Sequence, residues 1–148
     1  MDVAASPAAQ QTGESIVTPQ QIELVQSSFR KVVPIAGTAA DLFYDRLFEL
    51  APAMRPMFPR DLGEQKKKLI AMLATAVNNL HKLDAIVPAV QDLGRRHKGY
   101  GVADEHYAPV GAALLWTLEQ GLGADFTPDV KVAWTEAYTA LAGVMKAA

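Results

Sequence analysis

Apolar residues recur every three to four positions along most of the chain, the spacing that gathers side chains on one helix face. Ile22, Val25, Phe29 and Val32 form the first such stripe. Thr18, Pro19 and Gln21 precede it, the residue types of a capping box with proline at the first helical position. Pro34 closes that helix. A second helix is predicted from about Ala36 to Glu49, turning Leu42, Phe43, Leu47 and Leu50 or their neighbours inward. Three prolines in the stretch from Pro52 to Pro59 then forbid a continuous helix. The third helix, about Leu62 to Leu80, has a stripe at Leu69, Met72, Leu73, Ala76, Val77 and Leu80. A fourth is predicted from Asp84, as its N-cap, to Lys98, with Ile86, Val90, Leu93 and His97 on one face. The fifth, about Asp104 to Gln120, aligns Tyr107, Val110, Leu114 and Leu118. Thr127 and Pro128 open the last helix by the device used at Thr18 and Pro19. Its stripe is Val130, Trp134, Ala137, Tyr138, Leu141 and Met145. Period-two alternation and internal repeats are missing, so the fold class is all-α. The helices differ in length and are broken at the 52–59 corner, which points to irregular packing more than to a symmetric bundle.

At 148 residues the chain reads as one domain that buries about two-thirds of its unfolded surface. Residues 1–17, rich in Ala, Ser and Gln with Pro7 and Gly13, read as a flexible extension, and 18–148 as the folded domain. Half the residues are hydrophobic, yet no apolar run approaches the roughly 20 residues of a membrane span. The longest, Ala108 to Leu118, is interrupted by Pro109, Gly111 and Thr117. The N-terminus lacks the basic stretch and apolar block of a secretory signal. No cysteine is present, which removes disulfides, thiolate metal sites and a cysteine nucleophile. A net charge of −2 gives no long-range attraction to nucleic acid or anionic lipid. These features predict a soluble cytoplasmic protein with neither nucleic acid nor membrane as partner. Lys66, Lys67 and Lys68 read as a solvated helix face, with contact to an anionic ligand as the lesser alternative.

His97 is the residue most open to chemistry. An imidazole on an apolar helix face can ligate a metal or a metal-bearing cofactor. On spacing alone, a core histidine tied to a backbone carbonyl is the commoner outcome. His81 and His106 read as surface or helix-end residues.

Several residues together resemble the globin family, over about Thr18 to Met145. Leu42 to Phe48, followed by Pro52 and Phe58, resembles the second globin helix and its corner. Gln65 falls at the distal position, with Leu69 one turn on, and Leu93 to His97 matches the proximal helix. Val102 and Tyr107 match residues bordering the cofactor, and Trp134 with Tyr138 the last helix. The nearest subgroup resembles bacterial single-domain globins similar to the haem domain of flavohaemoglobins, and 93–134 also resembles neuroglobin.

The resemblance implies a globin fold of about six to eight helices packed around haem b (iron protoporphyrin), with His97 as proximal iron ligand. Phe58, Lys68, Leu69, Leu93, Val102, Tyr107 and Val110 would border the cofactor, Lys68 by pairing with a propionate. Tyr44 and Gln65 would stabilise a bound diatomic gas by hydrogen bonding. Glutamine binds haem iron poorly, so the sixth position is expected to be open or water-occupied, with Lys66 or Lys68 ligating only after a helix shift. The implied function is reversible dioxygen binding for storage, transport or scavenging, in a monomer or weak homodimer. The alternatives are a nitric oxide dioxygenase served by an external reductase, and a gas or redox sensor. In flavohaemoglobins a last-helix glutamate joins the proximal histidine and a tyrosine. Tyr107 takes the tyrosine place, but Met145 to Ala148 offers no acid and Glu136 lies too early. Strong electron donation from the proximal side is therefore not expected.

Overall fold

The computed structural model describes residues 17–148, and the expected extension over residues 1–16 lies outside them. Val17, assigned to that extension, is buried at the position preceding the first cap. The described residues contain six α-helices, numbered α1 to α6: Pro19–Val32, Ala36–Leu50, Gly63–Asn78, Leu83–Gly99, Tyr107–Leu122 and Pro128–Ala147. Short 3₁₀ turns join them, and there is no strand among the described residues. No helix among the described residues is long and apolar enough to cross a membrane.

Both threonine caps form as the local sequence dictates. The Gln21 N–H donates to Thr18 Oγ1 at 3.1 Å, while Thr18 N–H donates back to the Gln21 side chain at 3.0 Å. Val130 N–H donates to Thr127 Oγ1 at 3.2 Å, ahead of α6. Asp84 does not cap α4. The helix starts at Leu83, so Asp84 lies in its first turn, where its charge still favours the helix dipole. The 3₁₀ turn Leu80–Lys82 runs almost directly into α4 and removes the extended residue that a side-chain cap requires. The expected fifth helix likewise divides into a turn at Asp104–His106 and α5. Leu50, expected inward, is 43% exposed at the end of α2, and Phe43, Tyr44 and Leu47 are the buried face.

The main core gathers Val25, Phe29, Phe43, Leu47, Val77, Leu114, Leu118 and Trp134 from α1, α2, α3, α5 and α6. Trp134 donates its indole N–H to Ser28 Oγ at 2.8 Å, so the largest aromatic buries no unmet donor. A second, smaller cluster joins Tyr107, Ala142 and Met145 to Val90, Leu93, Val102 and Tyr138. Consecutive α3 and α4 do not pack on each other to any extent: α3 rests on α1 and α2, and α4 rests on α6.

Two glycines fix where α4 lies and how it ends. Gly94 is buried, and a Cβ there would meet the Met145 carbonyl oxygen at 2.4 Å and its Cα at 2.7 Å. Backbone therefore rests on backbone where α4 meets α6. Gly101, at φ 91°, adopts the left-handed conformation that ends α4. Gly101 N–H donates to Lys98 O and Val102 N–H to His97 O, both at 3.0 Å, the two bonds of a Schellman turn. The chain is thereby folded back beside His97.

Candidate functional site

On the α3 side, α2 contributes Tyr44, which is 3% exposed and ringed by aromatics. Phe43 meets it edge-on at 5.0 Å between ring centroids, and Phe58 at 5.7 Å. Such edge contacts hold a ring in one orientation. Gln65, in the first turns of α3, is the polar side chain that bears on the Tyr44 hydroxyl. Burial pushes that hydroxyl above the ordinary phenolic value and Gln65 partly opposes the shift, so Tyr44 stays a neutral donor at physiological pH.

Phe58 sits at the corner after Pro52–Met57. Arg55 pins this corner, donating to Pro59 O at 3.0 Å and to Arg60 O at 2.9 Å, with its guanidinium over Phe48 at 5.2 Å. Sequence reasoning missed Arg55. Its signal is an arginine inside a proline-rich corner, where carbonyls have no helical donors to satisfy them. Behind Leu69 is an apolar cavity of about 20 Å³ bounded by Phe43, Leu73, Leu114, Thr117 and Trp134. The Thr117 hydroxyl donates to Ala113 O at 2.8 Å and Trp134 to Ser28, so the donors of both polar side chains on its wall are already satisfied within the protein.

On the α4 side, His97 is half-buried and its Nδ1 lies 2.8 Å from Leu93 O. A carbonyl only accepts, so Nδ1 carries the proton and Nε2 is left with a free lone pair. That is the tautomer of a metal-ligating imidazole, with its outer nitrogen already oriented. Leu93, Val102 and Tyr107 meet in the second cluster, whereas Val110 packs on the main core. Tyr138 donates its hydroxyl to Tyr107 O at 2.7 Å, and Lys146 Nζ lies 5.4 Å from the Tyr107 ring centre. Gly111 makes room for Tyr138, because a Cβ there would lie 2.8 Å from its ring.

The sequence-predicted residues thus fall into two groups. Tyr44, Phe58 and Gln65 come together on one side, and Leu93, Val102 and Tyr107 on the other. Lys68 is exposed and joins neither, while Lys66 is committed to Asp41 at 2.7 Å. His81 is exposed, and His106 accepts from Ala103 N–H at 2.9 Å as a turn residue. Among the described residues no three His, Cys, Asp or Glu side chains gather into a metal site. The His97 Nε2, left free by the bond of Nδ1 to Leu93 O, fits haem, which brings four nitrogen ligands of its own.

Tyr44, Tyr107 and Tyr138 are all pushed above the ordinary phenolic value, with burial the first cause in each. The native state keeps protons that the unfolded chain releases from about pH 10 upward. This contribution to stability is complete below about pH 10 and is lost as pH rises through the folded values. Urea unfolding at about pH 8 and about pH 11 should show the alkaline loss, reduced by replacing Tyr138 with Phe. The same loss in Tyr138→Phe would contradict it.

The described residues thus form an all-helical domain with a half-buried imidazole on α4 and, across from it in sequence, a buried Tyr44 with a half-buried Gln65 bearing on its hydroxyl. The globin family model matches residues 41–145, and the chain belongs to the globin family. It is 34% identical over 125 residues to a flavohemoprotein of Bacillus subtilis, covering 82% of this chain and 31% of that protein. It is 29% identical over 132 residues to a flavohemoprotein of Vibrio cholerae, covering 87% of this chain and 34% of that one. The chain spans about one third of the length of these curated relatives. Family and relatives support a haem cofactor and binding of diatomic gases.

Proposed function

We propose that the protein holds haem b between α3 and α4 and binds dioxygen reversibly, as a cytoplasmic storage, transport or scavenging globin. The free Nε2 of His97, with Nδ1 committed to Leu93 O, carries this reading. When bound, haem would supply the iron centre that takes up a diatomic gas. Every other contribution comes from the chain. His97 Nε2 would hold the iron, and the Leu93 carbonyl keeps the imidazole in that tautomer and raises its basicity. Tyr44, neutral and buried, donates a hydrogen bond to the partial negative charge of the bound gas. Gln65 orients that hydroxyl or donates through its own amide. Phe58 and Leu69, with Leu93, Val102, Tyr107 and Val110, border the cofactor and keep water out. Lys68, exposed on α3, is free to reach a propionate.

Nitric oxide dioxygenation would use the same residues, and the name of the relatives joins flavin to haem. That reading needs a separate reductase as electron source. Repeated removal and readmission of dioxygen separates the two. The reduced, haem-loaded chain should return to its ligand-free absorption spectrum in each cycle. Oxidation to the ferric form in the first cycle would overturn a storage or transport role. Sustained nitrate formation with a cellular reductase would move the assignment to the enzyme.

A further inference from the structure

We infer that Gly94 is a positioning residue that sets where the His97 imidazole stands, by letting α4 rest directly on the backbone of α6. The cofactor side of this inference rests on the proposed role of His97, but its geometry does not. A Cβ on residue 94 would lie 2.4 Å from Met145 O, 2.7 Å from its Cα and 2.9 Å from its carbonyl carbon. All three atoms are backbone, so no rotamer change relieves the contact. Ordinary contact begins near 3.4 Å, so one helix must retreat by about 1 Å when a methyl is added.

Burial decides which helix retreats. α6 buries Val130, Ala133, Trp134, Ala137, Ala142 and Met145, whereas α4 buries only Gly94. The main core draws on α6 but takes from α4 only the half-buried Leu83 at its start. α4 is therefore the weakly held partner. The imidazole must travel with it, because Nδ1 is bonded to Leu93 O, the residue next to Gly94 on the same helix. The Schellman bonds at His97 O and Lys98 O hold the following turn to the same helix end. Gly94 thus acts on Nε2 through a rigid helix, not by touching it. The same contact reads in sequence as a weak helix former, which hides its purpose.

Gly94→Ala in the full chain tests this, with Gly99→Ala as control. Gly99 is on the same helix, two residues beyond His97, and a Cβ there meets nothing within 4 Å. Crystal structures of the haem-free proteins, superposed on α1, α2, α5 and α6, should show α4 and His97 displaced by about 1 Å only in Gly94→Ala. In the reduced, haem-loaded proteins the iron–histidine stretching band should shift in Gly94→Ala and stay in place in Gly99→Ala. Retreat of the last turn of α6, with His97 unmoved, would overturn the inference. Loss of cooperative melting in Gly94→Ala would also overturn it, since Gly94 would then hold the fold and not the imidazole. Displacement without any iron–histidine band, in wild type as well, would refute the haem reading and leave the positioning geometry standing.

Discussion

His97→Ala is expected to abolish stable haem binding while leaving the helical domain folded. Loss of an outer-shell partner typically weakens a metal site about 10- to 100-fold, and removing the axial ligand should cost more than about 100-fold. The fold should survive because His97 is half-buried and lies in neither hydrophobic cluster. Its one side-chain bond is to the carbonyl of its own helix, so no contact between elements is lost. Transfer of haem to an excess of a competing haem-binding protein measures the effect, and far-UV circular dichroism checks the fold. Haem retention equal to wild type would remove His97 from the role. Partial rescue by added imidazole would locate the loss at the ligand and not at the cavity walls.

Tyr44→Phe is expected to speed dioxygen release by about tenfold, the kinetic equivalent of a hydrogen bond worth about 1.4 kcal/mol. The ring contacts to Phe43, Phe48 and Phe58 are all made by carbon and survive the substitution. Association should change little, because the donor acts on the charge that develops once the gas is bound. Stopped-flow replacement of dioxygen by carbon monoxide gives the release rate. An unchanged rate would assign the stabilisation to Gln65. A Tyr44→Phe, Gln65→Leu pair of single variants and their double then apportions the stabilisation, since the Gln65 side chain bears on the Tyr44 hydroxyl.

What the sequence displayed was whatever depends on neighbours in the chain. Thr18 with Gln21 and Thr127 with Val130 satisfy bonds within three residues, so their caps could be read directly. The apolar stripes of α1 and α6 likewise fall on buried positions, Val25, Phe29 and Val32 in one and Val130, Trp134 and Ala137 in the other. Asp84 was misplaced because a cap depends on the residue before the helix being extended, and the 3₁₀ turn at Leu80–Lys82 removes that condition. Contacts between distant segments left no local trace. The Tyr138 bond to Tyr107 O spans 31 residues, and the Trp134 bond to Ser28 spans 106. Gly94 is the sharpest case, since its purpose is a contact with the backbone of Met145. The pairing of Tyr44 with Gln65 was legible only through resemblance to a family, because no periodicity links α2 to α3 across the 52–59 corner.

The central claim is that His97 Nε2 is an iron ligand on one side of a haem whose other side faces Tyr44 and Gln65. Haem titration of the full chain, followed by absorption spectra of the ferrous protein with and without dioxygen, tests it most directly. The account predicts saturation at one haem per chain, a five-coordinate ferrous spectrum and a distinct dioxygen-bound spectrum, with all three lost in His97→Ala. A titration without a Soret band at saturation, or spectra unchanged by His97→Ala, would contradict it.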